Sequence, residues 1–91
     1  MKVKYFAKYR DITNIKEESI PATPDIWTLL ITLCERYGNA FKVELITDDG
    51  KEICGDIVIL VNGRNICHLD GKNTPLTESD VVSIFPVVAG G

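Results

Sequence analysis

Residues 23–38 read Thr-Pro-Asp-Ile-Trp-Thr-Leu-Leu-Ile-Thr-Leu-Cys-Glu-Arg-Tyr-Gly, and this stretch decides the fold class. Ile26, Leu29, Leu30, Leu33, Cys34 and Tyr37 recur at helical spacing, so one face of a helix is apolar and must pack on something. Thr23 is placed to cap it, Pro24 suits the first helical position, and Asp25 complements the dipole. Gly38 is the expected stop, because the residue after a helix often takes a left-handed conformation. Trp27 and Ile31 lie off the stripe, four residues apart, and are expected at the edge of the core.

Working outward, the flanks read as strands. Lys2 to Ala7 alternates, with Val3 and Tyr5 on one side and Lys2, Lys4 and Phe6 on the other. A polar turn from Asp11 to Asn14 and a second strand at Ile15 to Ile20 would complete a hairpin. After the helix, Asn39 to Asp56 is the least legible segment. Its turn signals at Asp48-Asp49-Gly50 and Cys54-Gly55-Asp56 suit a short helix or a loose hairpin. Ile57 to Val61 is a continuous apolar run, expected as a strand buried on both faces. Asn62-Gly63 is a strong hairpin signal, with a return strand at Asn65 to His68. Leu69 to Pro75 reads as a loop. Thr77-Glu78-Ser79-Asp80 turns into a last strand, Val81 to Pro86. Two strands, a helix, an irregular segment, then three strands imply an α+β roll with a mixed sheet curled over one main helix. The β-grasp, or ubiquitin-like, arrangement is the natural candidate. A chain of 91 residues supports one such domain, 1–91, with 87–91 expected as a flexible Gly-Gly tail.

Composition narrows the function. With 45% hydrophobic and 25% charged residues the chain is globular in character. A net charge of −3 offers no basic field for nucleic acid. The charge is segregated: Lys2, Lys4, Lys8, Arg10 and Lys16 face Asp11 alone in the first sixteen residues, whereas 44–56 carries Glu44, Asp48, Asp49, Glu52 and Asp56 against Lys51. A solvated surface accounts for this pattern; steering of a charged partner is the alternative. No apolar run is long enough for a membrane helix and no signal-peptide pattern opens the chain, so a cytoplasmic location is the expectation. Three cysteines, Cys34, Cys54 and Cys67, cannot all pair and read as reduced thiols.

Enzymatic constellations are missing. His68 is the single histidine, and a strand at 65–68 would place Cys67 on the opposite face from it. The cysteines have no CxxC spacing, so no metal site is expected. The isolated glycines form no phosphate loop. The end of the chain differs. Val87-Val88-Ala89-Gly90-Gly91 follows the last strand without a charge. Gly90 and Gly91 lack side chains, so an extended tail of this kind can enter a narrow channel and deliver the Gly91 carboxylate to another protein's active site. A frayed terminus without a role is the bland reading of the same residues.

Ile84-Phe85-Pro86-Val87-Val88-Ala89-Gly90-Gly91 resembles the ending of the molybdopterin synthase small subunit family. Leu76 to Val82 resembles that family's turn into the last strand, Val61-Asn62-Gly63-Arg64 its central hairpin, and Val3 to Arg10 its opening strand. Val87 stands where members often carry a second proline, and Ser79 replaces a common glycine. The resemblance implies a β-grasp sulfur carrier that is not itself catalytic. An adenylating activating enzyme would use ATP on Gly91, and a persulfide sulfur would then displace AMP to leave a thiocarboxylate. The large subunit of molybdopterin synthase would take Val88, Ala89, Gly90 and Gly91 into its active site, where the sulfur attacks a pterin precursor. No permanently bound cofactor is implied. Docking is expected on the sheet face near the tail, with Val82 and Ile84 in the core. Phe85 would be an exposed anchor there, with Pro86 beside it, Phe6 joining the patch, and Arg64 at the hairpin tip as a further candidate contact. Alternatives are a thiamine-pathway sulfur carrier, a ubiquitin-like modifier joined to lysines through Gly91, or an interaction domain with an idle tail.

Overall fold

In the computed structural model, which describes residues 1–87, helix α2 (Ile26–Tyr37) lies across a five-stranded sheet. Asp25, rather than Thr23, caps it: the Asp25 carboxylate accepts from Thr28 N at 2.8 Å, and Pro24 stays outside the helix. Two backbone bonds seat this end, from Ile26 N to the Thr74 carbonyl at 3.0 Å and from Leu76 N to the Pro24 carbonyl at 3.2 Å. Ile26, Leu29, Leu30 and Leu33 are fully buried, while Cys34, Tyr37, Trp27 and Ile31 pack half-buried around them. Gly38 ends the helix at φ +81°, a conformation that glycine adopts without strain.

The sheet contains β1 (Lys2–Tyr5), β2 (Glu17–Ser19), β3 (Ile57–Val61), β4 (Arg64–Asn65) and β5 (Val81–Pro86), in the order β2-β1-β5-β3-β4. β1 and β5 run parallel, with Val3 beside Val82 and Tyr5 beside Ile84; the other neighbours are antiparallel. Val3, Tyr5, Ile59, Val61, Val82 and Ile84 fill the inner face against α2. This is the mixed sheet of a β-grasp roll.

Several expectations are corrected. The first strands are not joined by a plain polar turn. A short helix, α1 (Lys8–Thr13), is inserted there, and it buries Tyr9 and Thr13. Tyr9, Ile12 and Thr13 share one helical face. Ala7 (φ 52°) and left-handed Asn14 (φ 64°), both at positive φ, bound the helix, so β1 stops at Tyr5 and β2 spans only Glu17–Ser19. The obscure middle contains both proposed elements: helix α3 (Asn39–Leu45), then a turn closed by an Ile46–Ile53 bridge. β3 is not buried on both sides, because Val58 and Leu60 on its outer face are half-exposed. β4 has only two residues; Cys67 and His68 lie exposed in a 3₁₀ turn (Ile66–His68), so strand alternation does not separate them.

Two polar clusters fasten the layers. The Glu18 carboxylate accepts from Tyr5 Oη (2.7 Å), Arg36 Nη1 (2.6 Å) and Tyr37 Oη, which binds β2 to the end of α2. Burial, then the Glu18 carboxylate, pushes the Tyr5 and Tyr37 hydroxyl pKa values up. At the opposite end, Asn62 and Gly63 both have positive φ, as a tight hairpin requires. The Asn62 side chain donates to Asp80 Oδ1 and accepts from Val81 N, each at 2.9 Å.

Asp25→Ala should cost about 1 kcal/mol of stability, read as a lower urea midpoint with an unchanged slope. The Asn62 side chain and Thr77 N hold the Asp80 carboxyl below the usual carboxylate range. Its folded pKa is depressed, so its stabilisation is present above the unfolded value and lost as pH falls through the folded one. Asp80→Asn should therefore lower the urea midpoint at neutral pH, and the deficit should shrink below about pH 4. An equal deficit at both pH values would contradict the assignment.

Candidate functional site

The parallel β1–β5 pair ends at one edge of the sheet. Phe6 follows Tyr5, Phe85 follows Ile84, and the register sets the two rings side by side on the outer face. They stack with centroids 4.2 Å apart and planes 11° from parallel. Phe85 is half-buried rather than fully exposed, and one of its faces is covered by the Phe6 ring. Val58 lies opposite Phe85 in the β3 register, and Leu60 two residues on, so the stack continues into an aliphatic strip. Pro86 is half-buried opposite Ile57, and Val82 and Ile84 are fully buried, as expected.

Arg64 is exposed beside the hairpin, across from Val61, which itself faces Val82. That is three residues along β5 from Phe85 and two strands over, so Arg64 is not brought to the stack. Val88, Ala89, Gly90 and Gly91 lie outside the described residues.

The root of the tail holds features that the sequence reading missed. Val87 N donates to the Asp56 carbonyl at 3.0 Å, one step beyond the β5–β3 ladder. The Asp56 side chain lies 3.9 Å from Lys8 Nζ, which also pairs with Glu44 Oε2 at 2.7 Å. The signal was present in the segregated charge, since a basic N-terminal residue here meets the acidic 44–56 segment. Lys2 likewise pairs within the fold, with Glu17 at 3.0 Å. The remaining surface carries a cavity of about 240 Å³ lined by Ile53, Cys54, Ile57, Ile59, Ile66 and Lys72 among others. Its lining is largely aliphatic and sets up no acid–base pair. Among the described residues no group of three or more His, Cys, Asp or Glu side chains is placed to hold a metal, and no helix is long and apolar enough to cross a membrane.

A single edge of the sheet thus combines the stacked Phe6–Phe85 pair with Val87, the last described residue before the Gly90-Gly91 ending. Residues 3–91 match the model of the ThiS family. The chain belongs to that family. It is therefore a ubiquitin-like small modifier or sulfur carrier, the level at which the likeness of the terminal block holds. Small archaeal modifier protein 3 of Haloferax volcanii is 33% identical over 93 residues, which cover 100% of this chain and 98% of that one. The solution structure of small archaeal modifier protein 1 from Methanosarcina acetivorans superposes with a TM-score of 0.84 at 36% identity, covering 99% of this chain and 94% of that one. A chain from Pyrococcus furiosus, provisionally named molybdopterin converting factor, subunit 1, gives 0.68 at 29% identity, covering 96% and 95%.

In a double-mutant cycle with Phe6→Ala and Phe85→Ala, the ring–ring coupling should be about 0.5–1.5 kcal/mol. Urea unfolding of the four proteins measures it, and additive effects would show that the rings act independently.

Proposed function

We propose that this ThiS-family chain works as a protein modifier joined to lysine amines through Gly91, with sulfur carriage as a second use of the same activated carboxylate. The observation that carries this reading is the parallel β1–β5 pair, which sets the Phe6–Phe85 stack beside the root of the tail. A partner that covers the stack is positioned to receive the terminus. Full-length likeness to a protein named as a modifier supports conjugation over the molybdopterin-specific role.

The chemistry follows from the poor electrophilicity of a carboxylate. An activating enzyme would use ATP to convert Gly91 into an acyl adenylate, releasing pyrophosphate. A neutral lysine amine would then attack the carbonyl carbon, and AMP would leave with the C–O bonding pair. Acid–base groups would come from the partners. Contacts at the aromatic face offset the entropy of ordering the tail. Pro86 stiffens the last strand position before the tail.

A second reading keeps the carrier but changes the acceptor. Sulfur would replace AMP, and the resulting thiocarboxylate would act on a pterin precursor inside a large synthase subunit. The Phe85-Pro86 ending and the likeness to the Pyrococcus chain favour it over a thiamine-pathway carrier.

Incubation of the tagged chain with cell extract, activating enzyme and ATP should yield lysine-linked conjugates. Lys72 is the last basic residue, so trypsin should leave residues 73–91 on the acceptor lysine. Deleting Gly91 should abolish the conjugates, and Phe85→Ala should reduce them severalfold while the domain stays folded. Replacement of one terminal oxygen by sulfur in the intact mass, without conjugates, would favour the second reading. Neither product would sink both.

A further inference from the structure

An activated Gly91 would be open to attack by nucleophiles of its own chain. The inference rests on the proposed activation of Gly91. Four residues follow Val87, and an extended run of four spans at most about 14 Å. Two nucleophilic side chains sit around the point where that run begins. The Asp56 carbonyl holds Val87 N at 3.0 Å, and the same residue's Oδ2 lies 3.9 Å from Lys8 Nζ. Cys54 comes two residues before Asp56, and its thiol faces the Val43 carbonyl at 3.9 Å, on the helix that also carries Glu44. A tethered nucleophile acts at a high effective concentration, so either group would compete with any external acceptor.

We propose that Glu44 and Asp56 guard the carrier against acylating itself. They pair with the Lys8 ammonium, Glu44 Oε2 at 2.7 Å and Asp56 Oδ2 at 3.9 Å, and place negative charge around Cys54, so both groups attack the activated terminus severalfold more slowly than unguarded ones would. An acyl adenylate or thioester reacts with neutral amines and thiolates; ammonium groups and thiols do not attack it. Local electrostatics agree. The Glu44 hydrogen bond is the chief cause of the raised Lys8 pKa, with Asp56 adding to it. Burial pushes the Cys54 thiol up first, and Asp56, Glu44 and Asp48 push it further. The Lys8 ammonium also lies 5.5 Å from the centre of the Tyr9 ring, a contact that favours the charged form.

Without the guard, the reaction is a simple acyl transfer. The Lys8 nitrogen lone pair forms a bond to the Gly91 carbonyl carbon. The bond from that carbon to the leaving group breaks, the leaving group departs with the electron pair, and the nitrogen loses a proton to solvent. The product is a chain closed into a ring by an isopeptide bond.

The test uses the full chain carrying an alkyl thioester installed chemically on Gly91, with no activating enzyme present, so its outcome is independent of whether conjugation occurs in cells. The wild type, E44Q/D56N and E44Q/D56N/K8R proteins are followed by intact mass in mildly alkaline buffer, after circular dichroism shows a common fold. E44Q alone replaces the double variant if the latter fails to fold. The wild type should mostly hydrolyse to the linear acid and close into a ring severalfold more slowly than E44Q/D56N. The unguarded variant should lose the thiol without gaining water, with fragmentation linking Gly91 to Lys8, and adding K8R should abolish that product. Equal ring closure in the wild type and the unguarded variant, no ring in the variant, or closure at another lysine would each overturn the proposal.

Discussion

Parallel pairing of the first and last strands is the constraint on which the molecule depends. β1 and β5 occupy the middle of the sheet, and their inner residues Val3, Tyr5, Val82 and Ile84 are all buried under α2. Because the strands run the same way, they also finish together. An antiparallel pair would have put the end of β5 at the start of β1 and separated Phe85 from Phe6. The parallel register instead delivers both rings and the departing tail to one edge. The core and the aromatic face are thus two sides of the same backbone ladder.

Most of this was legible because strong local signals agreed with the global fold. The stripe from Ile26 to Tyr37 fixed the main helix, Asn62-Gly63 fixed a hairpin, and the alternation in Val81 to Pro86 separated the core side from the outer side. Legibility failed where a signal was short or divided. Tyr9, Ile12 and Thr13 make less than two turns of helix among Lys8, Arg10 and Asp11, so α1 looked like a turn. Thr23 and Asp25 are both good caps; only the bond from Thr28 N shows that Asp25 takes the role. The meeting of Phe6 and Phe85 was readable as a shared face, but the ring stacking needed the inter-strand register.

The segregated charge has a structural account in part. Lys8 belongs to the basic N-terminal stretch, yet its partners Glu44 and Asp56 are in the acidic middle segment. Exposed pairs of this kind contribute little to stability, typically about 0.2–1 kcal/mol. Their location matters more than their strength, since they stand where Val87 is tied to the Asp56 carbonyl. Sequence distance concealed the arrangement: α1 and the turn before β3 are far apart along the chain.

The central position of β5 also bears on how the molecule comes into being. Ribosomes make Val81–Pro86 last among the sheet's strands, although it is the slat between β1 and β3. Until it emerges, β1 has only β2 beside it and β3 only β4, and the inner surface of α2 lacks its central floor. A prematurely terminated product cannot assemble the sheet and should fall to proteolysis. Acquisition of the native state therefore certifies that synthesis has passed Pro86.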